Sequence, residues 1–166
     1  MTAIFENVIT VLQQAEGTGT SDLLGDRGGI TSMGISQAAF PELNVATLSY
    51  DEKIKLYETK YWNAHRLSEL NDQTIANQCF LLIINLNPSQ AVKIIQTAIN
   101  VCGQRITTVI VDGIMGNDTI VSLNSLNHFY MSAQLRIEAI RYYLKLTDDD
   151  RSQGRFLRSW IRRTLL

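Results

Sequence analysis

Residues 15–36 read AEGTGTSDLLGDRGGITSMGIS. A glutamate closes a helical pattern, a tract of glycine, serine, threonine and aspartate follows, and a short apolar segment ends the stretch. Upstream, Ile4, Phe5, Val8, Val11, Leu12 and Ala15 recur at i, i+3, i+4 spacing, and Gly17 stops the pattern just after Glu16. The glycines between Gly17 and Gly34 suit turns and a small hairpin rather than helix. No other part of the chain reads as strand. The expected fold is therefore mainly α, with a small β-hairpin after the first helix.

Helical signals continue to the end of the chain. Ser49 with Glu52 three residues on forms a capping box, opening a helix through Ile54, Tyr57 and Tyr61. A third helix is predicted from about Asp72 to Leu86, apolar on all sides near its end and therefore central. Asn87 and Pro88 fit the cap and first position of a fourth, which Gly103 stops. Asn117 is a candidate cap for a fifth, Asn127 to Leu146 reads as a long sixth, and Asp148 to Asp150 are placed to open a last one.

The chain has 166 residues, 45% of them hydrophobic, enough for a substantial core without disulfides or metal. Its formal charge of −1 gives no reason to expect nucleic acid as a partner. Cys79 and Cys102 lie in apolar helical patterns and read as buried thiols. The N-terminus carries Glu6 among its apolar residues and has no basic leader, and no apolar run approaches the ~20 residues of a spanning helix. VDGIMGND lacks the glutamate of a calcium loop, its twelfth position being Leu123, and no Gly-Lys-Ser/Thr marks a phosphate loop.

Glu16 carries the sharpest chemical signal. A carboxylate at a helix C-terminus faces the negative end of the backbone dipole, which disfavours ionisation and suits a proton donor. Glycosidases need such a donor against the leaving oxygen, together with a group that holds water or stabilises a positive sugar. Asp22 and Asp26 are the available second carboxylates, and Thr31 offers a hydroxyl. On the residues alone, Glu16 is either that acid or a solvated helix end. Tyr61 and Trp62 either stack on sugar faces or belong to the core. Asn85, in an apolar run, either faces a cleft or satisfies its amide internally. Arg151, Arg155, Arg158 and Arg162 share one predicted helix face, either simply solvated or docking to an anionic envelope surface.

The chain resembles the glycoside hydrolase family 108 muramidases, known as phage endolysins and secretion-associated lysozymes, with their adjoining peptidoglycan-binding segment. That family opens with a helix ending in E-G-G-Y and continues to D-P-G-G-x-T-x-x-G-I. Here Glu16-Gly17 is followed by Asp26-Arg27-Gly28-Gly29-Ile30-Thr31-Ser32-Met33-Gly34-Ile35. Tyr61-Trp62, Leu70, Asn85, Ala91, Gln96, Asp112-Gly113, Gly116, Thr119, Trp160 and Arg163 continue the similarity in order. The departures are Thr18 and Gly19 in E-G-G-Y, one extra residue before Asp26, Leu81 where the family has aspartate, and Asn87 where it has glycine.

The resemblance implies a lysozyme-like fold and an N-acetylmuramidase of peptidoglycan. Glu16 would be the general acid, Asp26 and Thr31 would position water or stabilise the oxocarbenium-like state, and Tyr61, Trp62 and Asn85 would contact substrate, with no metal or cofactor. The expected organisation is a catalytic lobe, 1–87, and a helical lobe, 88–166, packed as one monomeric unit. Such a protein is expected to be made in the cytoplasm without a signal peptide. It would act in the periplasm or cell wall after export or holin release. The departures leave two alternatives: a catalytically impaired wall-binding module, and an interaction protein that blocks or recruits a component of lysis or secretion.

Overall fold

The computed structural model describes residues 2–16, 20–21, 31–103 and 108–166, with the side chains of Glu16, Thr20, Ser21 and Thr31 outside that description. The first helix, α1 (Glu6–Glu16), ends at the expected glutamate. Val8 and Leu12 are buried on its inner face, while Ile4, counted with the apolar pattern, is exposed ahead of the helix.

Three two-residue strands follow, β1 (Thr20–Ser21), β2 (Thr31–Ser32) and β3 (Ile35–Ser36), antiparallel in that order. The β2–β3 connection is the two-residue loop Met33-Gly34, with φ of 52° and 80° and Ser32 opposite Ile35. Two consecutive positive φ angles are the hairpin geometry whose twist matches the flanking strands. Glycine takes this conformation freely, whereas Met33 is held in it: its side chain is buried and its carbonyl accepts a 2.7 Å hydrogen bond from the Tyr57 hydroxyl.

The second helix, α2 (Tyr50–Tyr57), carries the expected capping box, with Ser49 and Glu52 bonded reciprocally. It does not run on through Tyr61 as an α-helix. Its continuation, Glu58–Asn63, is a π-helical turn, and Arg66 then adopts a left-handed conformation, φ 56°, before a 3₁₀ turn at Leu67–Glu69.

Asp72 caps α3 (Gln73–Asn85), accepting from the Ile75 N–H. Asn87 caps α4 (Pro88–Cys102), with Pro88 in its first turn and Gly103 at its end. At α5 (Asn117–Ser125) the expectation needs correction. Gly116 is the cap, and the Asn117 side chain instead accepts from Arg66 across the molecule.

Asn127 caps α6 (His128–Asp149), which outruns its predicted end and takes in Asp148 and Asp149. Lys145, one turn back, pairs with Asp149 at 2.8 Å, so a cation offsets the carboxylates at that helix end. Only Asp150 serves as a cap, for the 3₁₀ turn Arg151–Gln153 that leads into α7 (Gly154–Thr164).

Helix α3 sits in the middle of this arrangement, touched by α1, α4, α6 and α7. Cys79, Phe80, Leu82 and Ile83 are all buried on it, and the same hydrophobic cluster extends into α4 and α6. The structure is a mainly-α, lysozyme-like fold with a hairpin after the first helix. Among the described residues no helix is long and apolar enough to cross a membrane.

Burial pushes the Cys79 thiol up to about 12 and raises that of half-buried Cys102. At pH 8 a thiol reagent should therefore spare Cys79 in the folded protein and modify Cys102 only slowly. Both should react in denaturant, and rapid modification of two native thiols would contradict this packing.

Candidate functional site

Glu16 is the last residue of α1, and β1 is the next described element. Pairing of β1 with β2 sets Ser21 opposite Thr31, so the backbone at Thr31 returns beside the segment that leaves α1. The side-chain expectations for Glu16 and Thr31, and the whole of Asp22 and Asp26, lie outside the described residues. The backbone does establish a helix end followed by an antiparallel pair, an arrangement able to flank a cleft.

Trp62 does not reach such a cleft. It is 1% exposed, with its ring 5.6 Å from Phe5 and 6.0 Å from Phe80 in edge-to-face contacts. A ring enclosed this way has no face for a sugar, and the substrate-binding expectation for Trp62 is corrected to a core role. Tyr61 is half-buried against Tyr57 and Phe40 at 5.7 Å and 6.5 Å, and burial raises its phenol pKa. The residue as a whole is only partly buried.

Asn85 is also occupied internally. Its Nδ2 donates to the Tyr143 hydroxyl on α6 at 2.6 Å, and Arg163 Nη1 on α7 donates to its Oδ1. The Tyr143 ring in turn stacks on Trp160 at 5.1 Å with planes 23° apart. Both ends of the amide are committed to the fold, so its expected substrate contact gives way to a structural one. Sequence reasoning missed Tyr143 as the partner, because nothing local links positions 58 residues apart.

The other matched positions also build scaffold. Gln96, 1% exposed on α4, donates through Nε2 to Asp112 Oδ1 at 2.7 Å and to the Ile114 carbonyl at 3.1 Å, while Gly113 N–H donates to its Oε1 at 2.9 Å. The Gln96 amide, with the Ile114 N–H, holds the Asp112 carboxyl below its ordinary value. Gly113 has φ 82°, and a Cβ there would lie 2.3 Å from Ser89 Oγ, so only glycine lets the loop sit down on α4. Leu81 is buried facing α6 and α7, and Asn87 is the α4 cap. Among the described residues no three His, Cys, Asp or Glu side chains gather as a metal site.

Arg155, Arg158 and Arg162 are exposed on α7, and the Arg155 guanidinium lies 4.6 Å from the Phe156 ring centre. Arg151 falls in the preceding 3₁₀ turn, so the predicted four-arginine helix face is reduced to three on α7.

Comparison with known families matches residues 9–86 to "Glycosyl hydrolase 108" and residues 90–165 to "Predicted Peptidoglycan domain". No curated protein matches the chain significantly. Among solved structures, "Structure of Brucella abortus SagA" superposes with a TM-score of 0.74 at 23% identity, covering 97% of this chain and 93% of that one. At that identity the likeness shows a shared fold.

Truncating Asn85 to alanine strands the Tyr143 hydroxyl and one Arg163 donor. Asn85→Ala should lower the unfolding free energy by about 1–3 kcal/mol in a denaturant titration. An unchanged stability with a raised KM would return Asn85 to the substrate-binding role.

Proposed function

The chain belongs to glycosyl hydrolase family 108, joined to that family's peptidoglycan domain, and from that premise we propose that it is an N-acetylmuramidase with Glu16 as general acid. As a member it is a glycoside hydrolase acting on peptidoglycan, at the cell wall. The finer reading is supported above all by the position of Glu16 as the final residue of α1, with β1 as the next described element and Thr31 paired opposite Ser21.

In this reading the Glu16 carboxyl gives its proton to the glycosidic oxygen as the bond to the sugar carbon breaks. Asp26 and Thr31 orient the water that completes hydrolysis, or stabilise the positive sugar. Tyr61, only partly buried, is the remaining aromatic candidate for sugar contact. Residues 1–87 then supply the cleft and residues 88–166 hold the wall. Arg155, Arg158 and Arg162 add a positive face toward anionic envelope polymers. Export through a secretion apparatus or release by a phage holin would bring the enzyme to its substrate.

A binding-only protein is the rival, motivated by Leu81 and Asn87. Both have structural occupations, one as a buried wall facing α6 and α7 and the other as a helix cap. Neither departure requires lost catalysis.

Purified protein should release new reducing ends from bacterial walls, with muropeptide masses showing cleavage on the muramic acid side. Glu16→Gln should reduce this about 10²–10⁴-fold with little change in melting temperature. Activity should fall as alkali deprotonates the acid and fall again as acid protonates Asp26. An alkaline limb unchanged in a Glu16→Gln variant with residual turnover would remove Glu16 from the role, and intact glycans in every wall tested would defeat the muramidase reading.

A further inference from the structure

Of the aromatics singled out in the sequence only Tyr61 is left for sugar contact, and the structure adds another. Tyr50 opens α2, one residue after the Ser49 cap, and is 44% exposed. Its hydroxyl accepts a 2.8 Å hydrogen bond from Gln13 Nε2, a contact that links α1 to α2. Gln13 stands three residues before Glu16 on α1. Residues so spaced are neighbours on a helix surface, about one turn apart. The Tyr50 phenol is therefore tied to the strip of α1 that continues to Glu16.

Two features set this ring apart from its neighbours. Tyr57 belongs to the hydrophobic cluster and Tyr61 packs against it, whereas Tyr50 stands outside that cluster. Tyr50 is also held at both ends. Its backbone follows the reciprocal Ser49–Glu52 capping box, and its hydroxyl is fixed by Gln13. An exposed side chain ordinarily loses rotamer freedom when a ligand covers it, and that loss weakens binding. Here the ring is ordered before any ligand arrives, so less freedom remains to be lost.

We propose that the Tyr50 ring is a stacking platform for an N-acetylated hexosamine of the glycan. One face of such a sugar ring presents C–H groups, which pack on the electron-rich face of an aromatic ring, while the hydroxyls at its edge stay in water. A tyrosine suits this contact because its body is apolar and its hydroxyl polar, and here the hydroxyl is already turned toward α1. Tyr50 is then a substrate-binding residue and Gln13 a positioning residue that acts through it. This role rests on the muramidase reading above, and it sets the glycan along the α1–α2 side of the Glu16 end.

The test titrates the full chain by calorimetry with a soluble tetrasaccharide of alternating N-acetylglucosamine and N-acetylmuramic acid, in the Glu16→Gln background so that binding is read without turnover. Adding Tyr50→Ala should weaken binding by about tenfold, the scale of one lost aromatic contact, with little change in melting temperature because the side chain is exposed. Tyr50→Trp should retain the affinity. Tyr50→Phe, which keeps the ring and releases it from Gln13, should fall between the parent and Tyr50→Ala. In the chain with Glu16 intact, Tyr50→Ala should raise KM for solubilised glycan more than it lowers kcat, and Tyr50→Trp should restore it. Absence of saturable binding in the Glu16→Gln chain, equal affinity with and without Tyr50→Ala, or a loss that tryptophan does not restore would each overturn the platform. Binding that depends on Tyr50 in a protein that cuts no glycan refutes only the muramidase reading, and cleavage with a KM indifferent to Tyr50 refutes only the platform.

Discussion

Burial of the middle of α3 is the constraint on which the rest of the structure depends. From Gln78 to Ile83 this helix, touched by α1, α4, α6 and α7, has no exposed position on which to leave a polar side chain. Asn85 answers that constraint by bonding Tyr143 and Arg163, so the last turn of the central helix holds α6 and α7 together. Trp160 then stacks on Tyr143, and α7 is seated through the same junction. Gln78 answers it only in part, bonding Ser132 through one end of its amide and leaving the other buried with no hydrogen-bond partner among the described residues.

The hairpin end of the protein rests on less. Two-residue strands make few ladder bonds, and short hairpins are marginal by themselves. Here the hairpin is tied to the helical body through its turn: Met33 is buried, and its carbonyl takes the Tyr57 hydroxyl. Tyr57 belongs to the end of α2, immediately before the π-helical turn, and its ring packs on Phe80 of α3. Ser32 and Ile35 are buried beside that turn, so the hairpin that carries the Thr31 backbone is fastened to the central helix by packing as well as by the Tyr57 phenol.

The C-terminal half is built by a different device. Gln96 uses both ends of its amide to fasten the loop through Asp112, Gly113 and Ile114 to α4, and Asn100 does the same one turn further on by bonding both the N–H and the carbonyl of Val109. Side-chain amides here stand in for a strand partner, so a loop without regular structure is held with its backbone groups satisfied.

Most helix starts and stops are legible in the sequence. The capping box at Ser49 and Glu52, the caps at Asp72, Asn87 and Asn127 and the stop at Gly103 act over three or four residues, so their chemistry is legible in a short window. The same is true of Glu16 at a helix end and of glycine in the loop on α4. Burial of Trp62 in the core, the bonds of Asn85 to Tyr143 and Arg163, the service of Asn117 to Arg66 rather than to its own helix, and the burial of Leu81 came only with the three-dimensional packing. Each of those outcomes depends on which side chains arrive from far along the chain. Hydrophobic periodicity names the buried face of a helix without naming what it will meet there.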